Sequence, residues 1–240
     1  MSYALAGSRL AHTARCTLEA SREARWFPVT PGARTRAQAR ALQRTCVQLV
    51  SGFGLDIRTI GPRPSGRVVL VSNHLSYIDP IVLATVMPCT VIAKSSVERW
   101  PLIGPRMREL GVVFVDREDG LSRARALRQA RRALLEGVSV LNFPEGTTTR
   151  GDRLHPFRPG IFGVAADLDV PIVPVRIEFS DPALCWVGDD AFLPHFLGFV
   201  RRTDARVTVR FGKPVRARAG EDAQLLADRA FGIVSRMHID

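Results

Sequence analysis

The chain has 240 residues, enough to bury the core of one domain, and its 46% hydrophobic and 24% charged content excludes a disordered protein. Its 34 basic and 23 acidic residues give a net charge of +11, which favours polyanions, either nucleic acid or an anionic membrane surface. Four scattered cysteines (Cys16, Cys46, Cys89, Cys185) without a C-x-x-C argue against a zinc site or a disulfide framework, and 7% aromatic content offers no base-stacking platform.

Residues 1–36 mix Arg, Ala, Ser, Gly and Pro without steady periodicity and read as a basic N-terminal arm. Residues 37–240 read as the folded domain. Residues 1–44 carry eight arginines against Glu19 and Glu23, an electrostatic hold on anionic lipid. No continuous apolar stretch marks a secretory signal. Residues 36–53 predict a helix with Leu42, Cys46, Leu49, Val50 and Phe53 on one face, and that face is expected to insert shallowly into a membrane interface. Arg67–Ser72 predicts a buried strand, followed by a helix from near Ser76 whose first turn holds Asp79. The longest uncharged apolar run, Pro80–Ala93, is too short to span a bilayer and is broken by Pro88. Strands are expected at Thr90–Lys94 and Val112–Val115. Leu121–Glu136 predicts a helix with Leu121, Ala124, Leu127, Ala130 and Leu134 on one face and most of its arginines off it. Strands at Val138–Phe143, Ile172–Phe179 and Ala205–Phe211 and a closing helix at Asp222–Met237 complete the pattern. Strands alternating with helices predict a single α/β domain with a mostly parallel or mixed sheet flanked by helices.

The chemistry begins at Asn73-His74-Leu75-Ser76-Tyr77-Ile78-Asp79-Pro80, directly after a strand. An imidazole suits proton abstraction from an alcohol near neutral pH, and a carboxylate on its other nitrogen fixes the tautomer and stabilises the imidazolium. The chain has no nucleophile elbow of the G-x-S-x-G type. The pair His74 and Asp79 is therefore suited to activate a hydroxyl that a substrate brings. Three further segments stand in order: Phe114-Val115-Asp116-Arg117, Phe143-Pro144-Glu145-Gly146-Thr147, and Val170-Pro171-Ile172-Val173-Pro174-Val175.

Together these four blocks resemble those of the glycerolipid acyltransferase family, the lysophosphatidic acid acyltransferase-like proteins. The resemblance covers roughly residues 37–215. Lys94, Trp100-Pro101, Ile103-Gly104 and Gly111 also fall where such proteins commonly have K, WP, G and G. It implies a glycerol-phosphate acyltransferase-like fold and acyl transfer from acyl-CoA or acyl carrier protein, with His74 and Asp79 catalytic. It also implies that Arg117 and Glu145 help bind a glycerol phosphate: a guanidinium donates to phosphate in pairs, and a carboxylate accepts from a hydroxyl. Backbone amides near Glu145, Gly146 and Thr147 are candidate oxyanion donors, because glycine lets a backbone approach a ligand closely. Lys94 and Arg158, the latter in a stretch resembling F-K-x-G, are candidate anion contacts. Two departures stand out. Many relatives place arginine directly after the threonine of FPEGT, whereas here Thr148 and Thr149 precede Arg150, which stays a candidate contact for a phosphate or an acidic cofactor. Relatives also often carry apolar helices where this chain has its basic arm.

The resulting expectation is a membrane-associated O-acyltransferase whose acceptor is a lysophospholipid, first of all 1-acylglycerol-3-phosphate. It needs no metal and no cofactor beyond the thioester co-substrate, and it is expected at the cytoplasmic face of the membrane as a peripheral protein. A second reading keeps fold and base but changes the acceptor, for example to a lyso-ornithine lipid. A third, a basic nucleic-acid-binding protein, rests on charge alone and lacks any recognisable motif. His155 reads as a loop histidine and His195 as a core histidine or a groove wall. Trp186–Val200 reads as a packed loop, an acyl-tunnel lining or an interfacial segment.

Overall fold

Val69, Leu70 and Val71 are all buried, yet Leu70 enters one core and its two neighbours another. Side chains alternate across a strand, so a strand buried on both faces needs a layer on each side. The computed structural model describes residues 2–100, 103–188 and 190–237. Its strands are β1 (Asp56–Ile60), β2 (Val69–Ser72), β3 (Cys89–Lys94), β4 (Val113–Val115), β5 (Ser139–Asn142), β6 (Ile172–Phe179) and β7 (Arg206–Phe211). They form one sheet in the order β1-β7-β6-β2-β5-β3-β4, parallel throughout except between β6 and β7.

One face of the sheet is covered by α1 (Ser2–Ala24), α2 (Pro31–Phe53), α3 (Ile78–Ala84) and α8 (Phe192–Val200). The other is covered by α6 (Gly120–Leu135), α7 (Gly160–Asp167) and α9 (Ala223–Arg236). Two short helices, α4 (Ser95–Glu98) and α5 (Ile103–Glu109), link β3 to β4. Gly104 is needed there: a Cβ at that position would lie 1.9 Å from the Glu98 carbonyl oxygen. Pro101 of the Trp100-Pro101 pair lies outside the described residues.

The N-terminal segment, expected as an aperiodic arm, contains α1, which packs on α2, α5 and α8. Its buried face is made of Ala6, Cys16 and Ala20, side chains too small to give a visible apolar stripe. Arg9 is also buried. Its guanidinium donates to the carbonyls of Val200, at 3.1 Å, and Arg202, at the C-terminal end of α8. That end carries the negative pole of the helix dipole. α2 starts at Pro31, earlier than expected, because proline fits the first helical turn, where its missing N–H costs nothing. Leu42, Leu49 and Phe53 are buried and Val50 is partly so. This corrects the expectation of a membrane-inserting face: those side chains are inside the protein. On α6 the buried positions are Ala126, Ala130, Ala133 and Leu134, while Leu121 is exposed. Asp119 caps this helix, accepting from the amides of Leu121 (2.9 Å) and Ser122 (3.2 Å).

Candidate active site

Because β2, β3, β4 and β5 are parallel, their C-terminal ends share one edge of the sheet, where open α/β sheets usually carry their sites. His74 follows β2, Lys94 ends β3, Arg117 follows β4 and Glu145 follows β5. Asn73 extends the pairing of β2 with β6 through its side chain: the amide donates to the Ile177 carbonyl (2.9 Å) and its oxygen accepts from the Ile177 amide (2.8 Å). The next residue, His74, is thereby placed just past the sheet.

His74 Nδ1 lies 2.7 Å from Asp79 Oδ2. A carboxylate oxygen can only accept, so Nδ1 carries the proton and Nε2 is left with a free lone pair. The same Oδ2 accepts from the amides of Leu75 (2.6 Å) and Ser76 (2.9 Å), which fixes the carboxylate against the start of α3. The Phe143 ring stacks on the imidazole at 4.1 Å between centroids. These contacts set the plane of the ring from both sides of its connection to the chain.

Glu145 is only 3% exposed and does not line the cavity that holds His74. Its Oε1 accepts from the His74 amide and its Oε2 from the His155 amide, each at 2.8 Å. The Thr149 amide donates back to the His74 carbonyl at 2.9 Å. Glu145, expected to accept from a substrate hydroxyl, instead accepts from two backbone amides and ties the histidine to the loop that follows β5. Burial raises its pKa to about 7, against the pull of the two amides, and the nearby Asp79 charge adds to the rise.

Gly146 turns the chain with φ +73°, and a Cβ there would approach the Arg158 guanidinium to 3.0 Å. Its carbonyl accepts from Arg117 Nη1 at 2.6 Å, and its amide donates to Phe143 O at 3.2 Å. Arg117 is held beside the histidine in this way. Burial, and next the charge of Arg158, lower its pKa from the usual arginine range. Arg117, Lys94, Thr147 and Thr148 line the same cavity as His74. Arg150 and Arg158 are exposed and outside that lining, so the predicted cations divide into two that face the cavity and two that do not.

The cavity itself measures about 260 Å³ and is mostly apolar. From His74 it runs among Leu42, Cys46 and Leu49 of α2, Ile81 of α3, Met107 and Leu110 near α5, and Phe196 of α8. Trp186, Phe192 and Trp100 close one side around Tyr77. Trp186, Gly188, Phe192 and Phe196 thus supply cavity wall, and Pro194 is tolerated in α8 because it stands in the first turn. His195 packs as a partly buried link in that wall. Its Nε2 lies 3.1 Å from the Cys185 carbonyl and therefore donates, leaving Nδ1 to accept from the Tyr77 hydroxyl at 2.9 Å. Burial lowers its pKa, in keeping with a neutral ring. Sequence reasoning missed this link; Tyr77, between His74 and Asp79, was its available signal. Among the described residues no group of His, Cys, Asp or Glu is arranged to hold a metal ion.

A polar corner with an oriented base, opening on a narrow apolar cavity, can activate an alcohol next to a fatty chain. Comparison with known proteins is consistent with that chemistry. The family model described as Acyltransferase matches residues 55–178. A lyso-ornithine lipid O-acyltransferase of Brucella abortus is 34% identical over 194 residues, 73% of this chain and 73% of its own. Another, from Pseudomonas aeruginosa, is 30% identical and covers 81% of this chain and 78% of its own. A chloroplastic 1-acyl-sn-glycerol-3-phosphate acyltransferase of Brassica napus is 33% identical, over 74% of this chain and 49% of its own. The crystal structure of the 1-acyl-sn-glycerophosphate acyltransferase PlsC from Thermotoga maritima shares the fold, with a TM-score of 0.63, 95% coverage of both chains and 19% identity.

Proposed function

The chain belongs to the acyltransferase family, and from that premise we propose that it moves a fatty acyl group from a thioester, acyl-CoA or acyl carrier protein, to the free hydroxyl of a lysolipid. The observation that carries this reading is His74, with Nδ1 locked on Asp79 and Nε2 without a protein partner, in the wall of an apolar cavity. His74 Nε2 takes the hydroxyl proton as the alcohol oxygen attacks the thioester carbonyl. The tetrahedral intermediate then collapses, the carbon–sulfur bond breaks, and the imidazolium returns the proton to the leaving thiolate. Asp79 stabilises the imidazolium in between. The Gly146 amide is engaged with Phe143, whereas the Thr147 amide has no partner among the described residues and its residue lines the cavity. Thr147 N–H is our assignment for an oxyanion donor. Arg117 and Lys94 face the negative group of the acceptor's head, the carboxylate of ornithine or the phosphate of glycerol phosphate, and the acyl chain occupies the apolar cavity.

Of the two acceptors expected from the sequence, the lyso-ornithine lipid is the better supported. The inserted threonines leave Arg150 outside the cavity, which removes a cation from the phosphate side, and the relatives bearing that activity in their names align over more of their own length than the plant enzyme does. 1-Acylglycerol-3-phosphate is the second reading, supported by Arg117. We further propose peripheral attachment at the cytoplasmic face of the membrane: no described helix is long and apolar enough to cross one, and the acceptor is an amphiphile. The test is a panel of both acceptors against acyl-CoA and acyl carrier protein donors, with product mass analysis. Acylation of neither acceptor from either donor, by folded protein on mixed micelles, would refute the assignment.

A further inference from the structure

We propose that the cleft between the end of α1, the start of α2 and α5 binds the phosphate of an anionic lipid head group, at a site distinct from the acceptor position beside His74. The cleft is lined by Ser21, Ala24, Arg25, Arg34, Arg106 and Glu109 and has a volume of about 260 Å³. Three guanidiniums therefore share it with one carboxylate. Glu109 Oε2 accepts from Ser21 Oγ at 2.7 Å, and no ion pair joins it to any of the three arginines among the described residues. Arginines close by are treated differently: Arg44 pairs with Glu23, and Arg108 with Glu98. One carboxylate leaves the three cations in excess, and like charges in excess repel one another; a phosphate relieves that repulsion while accepting paired hydrogen bonds from a guanidinium.

Two further observations point to a lipid as the source of the phosphate. The turn that joins α1 to α2, next to the cleft, exposes Trp26 and Val29 at 87% and 91%. Indole rings favour the level of the head groups, with an apolar neighbour reaching the acyl boundary. In addition, Arg106 lines both this cleft and the apolar cavity, so a head group held there sits beside the space that takes acyl chains. The inference rests on the interfacial attachment proposed above. Its test reads vesicle binding and not acyl transfer, so the catalytic reading stands or falls separately.

The experiment uses the full chain and sedimentation with phosphatidylcholine vesicles containing a fixed fraction of phosphatidic acid. Arg25→Gln/Arg34→Gln removes two cleft charges. Arg125→Gln/Arg128→Gln removes the same charge from the exposed side of α6, on the opposite face of the sheet. The cleft pair is expected to weaken binding roughly 10–30-fold, the scale of two arginines at an anionic surface, and the α6 pair by less than threefold. Trp26→Ser is expected to lower binding further, on both wild type and the α6 pair. Thermal melts of each variant confirm that it is folded. Equal losses from the two pairs, or none from the cleft pair, overturn the site in favour of diffuse charge. A cleft pair that loses affinity for adenosine 3′,5′-bisphosphate, the phosphate-bearing part of CoA, but keeps its vesicle binding overturns the lipid assignment and gives the cleft to the donor.

Discussion

In the loop after β5, Glu145 offers one oxygen to each of two backbone amides and Gly146 offers its carbonyl to Arg117. In the turn after α1 and the first turn of α2, Arg25 and Arg34 stand without a side-chain partner among the described residues, and Trp26 and Val29 face outwards. These contacts of the first region close within the protein, so changing a member of them is felt at His74. The second leaves its charge and apolar surface to something outside the chain. Catalytic geometry and attachment are thus built on opposite principles, one by internal saturation of polar groups and the other by leaving them open.

The sharpest way to break the comparison is at the base. His74→Ala should lower the acyl-transfer rate by roughly 10²–10⁴-fold while leaving the fold and vesicle binding intact. A folded variant with wild-type turnover would remove His74 from the mechanism. Asp79→Asn should approach this loss, because the wrong tautomer is then favoured.

Next in size is Arg117→Ala, for which the apparent acceptor KM should rise by about 10-fold or more, the loss of a charge-assisted pair. Lysine should restore part of it, since it lacks the planar fork. The donor KM should hold. A matching loss with an uncharged acceptor would separate Arg117 from the head group.

Glu145→Gln sharpens the comparison further. It should lower kcat several-fold with little change in acceptor KM, because Glu145 acts through the position of His74. A rise confined to acceptor KM would return Glu145 to substrate binding. Its pH signature is distinct as well. The folded pKa of about 7 lies above the ordinary 4.5, so the protonated form is favoured by folding. That contribution is fully present below pH 4.5 and is lost as pH rises through 7, amounting to roughly 3 kcal/mol. Thermal stability of the wild type should therefore fall between about pH 4.5 and 7 relative to Glu145→Gln and level off above that, and parallel curves would contradict the buried-carboxyl account.

The smallest expected effect concerns salt. Raising ionic strength shortens the Debye length and should release much of the vesicle-bound protein without detergent, whereas the rate on a micelle-dispersed acceptor should change little. Removing residues 1–36 is not a clean alternative. It would strip α1 from α2, α5 and α8 and open the cavity wall at Thr13, Thr17 and Ala20.

The central strands were legible because β2 is buried throughout and β5 and β6 are buried over most of their length, which leaves mainly apolar runs, and β6 coincides with its predicted bounds. The edge strand β1, Asp-Ile-Arg-Thr-Ile, was not, because its partly exposed alternation with charge is weak over five residues. α1 was hidden by the small side chains of its buried face, and α8 by Pro194 and Gly198. In the site, the His74–Asp79 pair was legible as chemistry at fixed spacing, whereas Arg117 came only from the family resemblance; the structure places His74 and Arg117 on one cavity. The placement of Glu145 was not legible: a carboxylate suited to a hydroxyl is equally suited to an amide, and only the return of the chain at His155 decides which it meets. Nothing in residues 20–34 signals that Arg106, far along the chain, completes their cleft.

One consequence of the histidine's anchoring concerns exchange with solvent. The amides of His74, Leu75, Ser76, Thr149 and His155 lie outside every helix and strand, yet each donates to an acceptor in the interior corner. Such amides open only when the corner itself comes apart. In deuterium they should be retained as long as those of the neighbouring parallel strands, so that these two loops and the middle of the sheet unfold as a single cooperative unit.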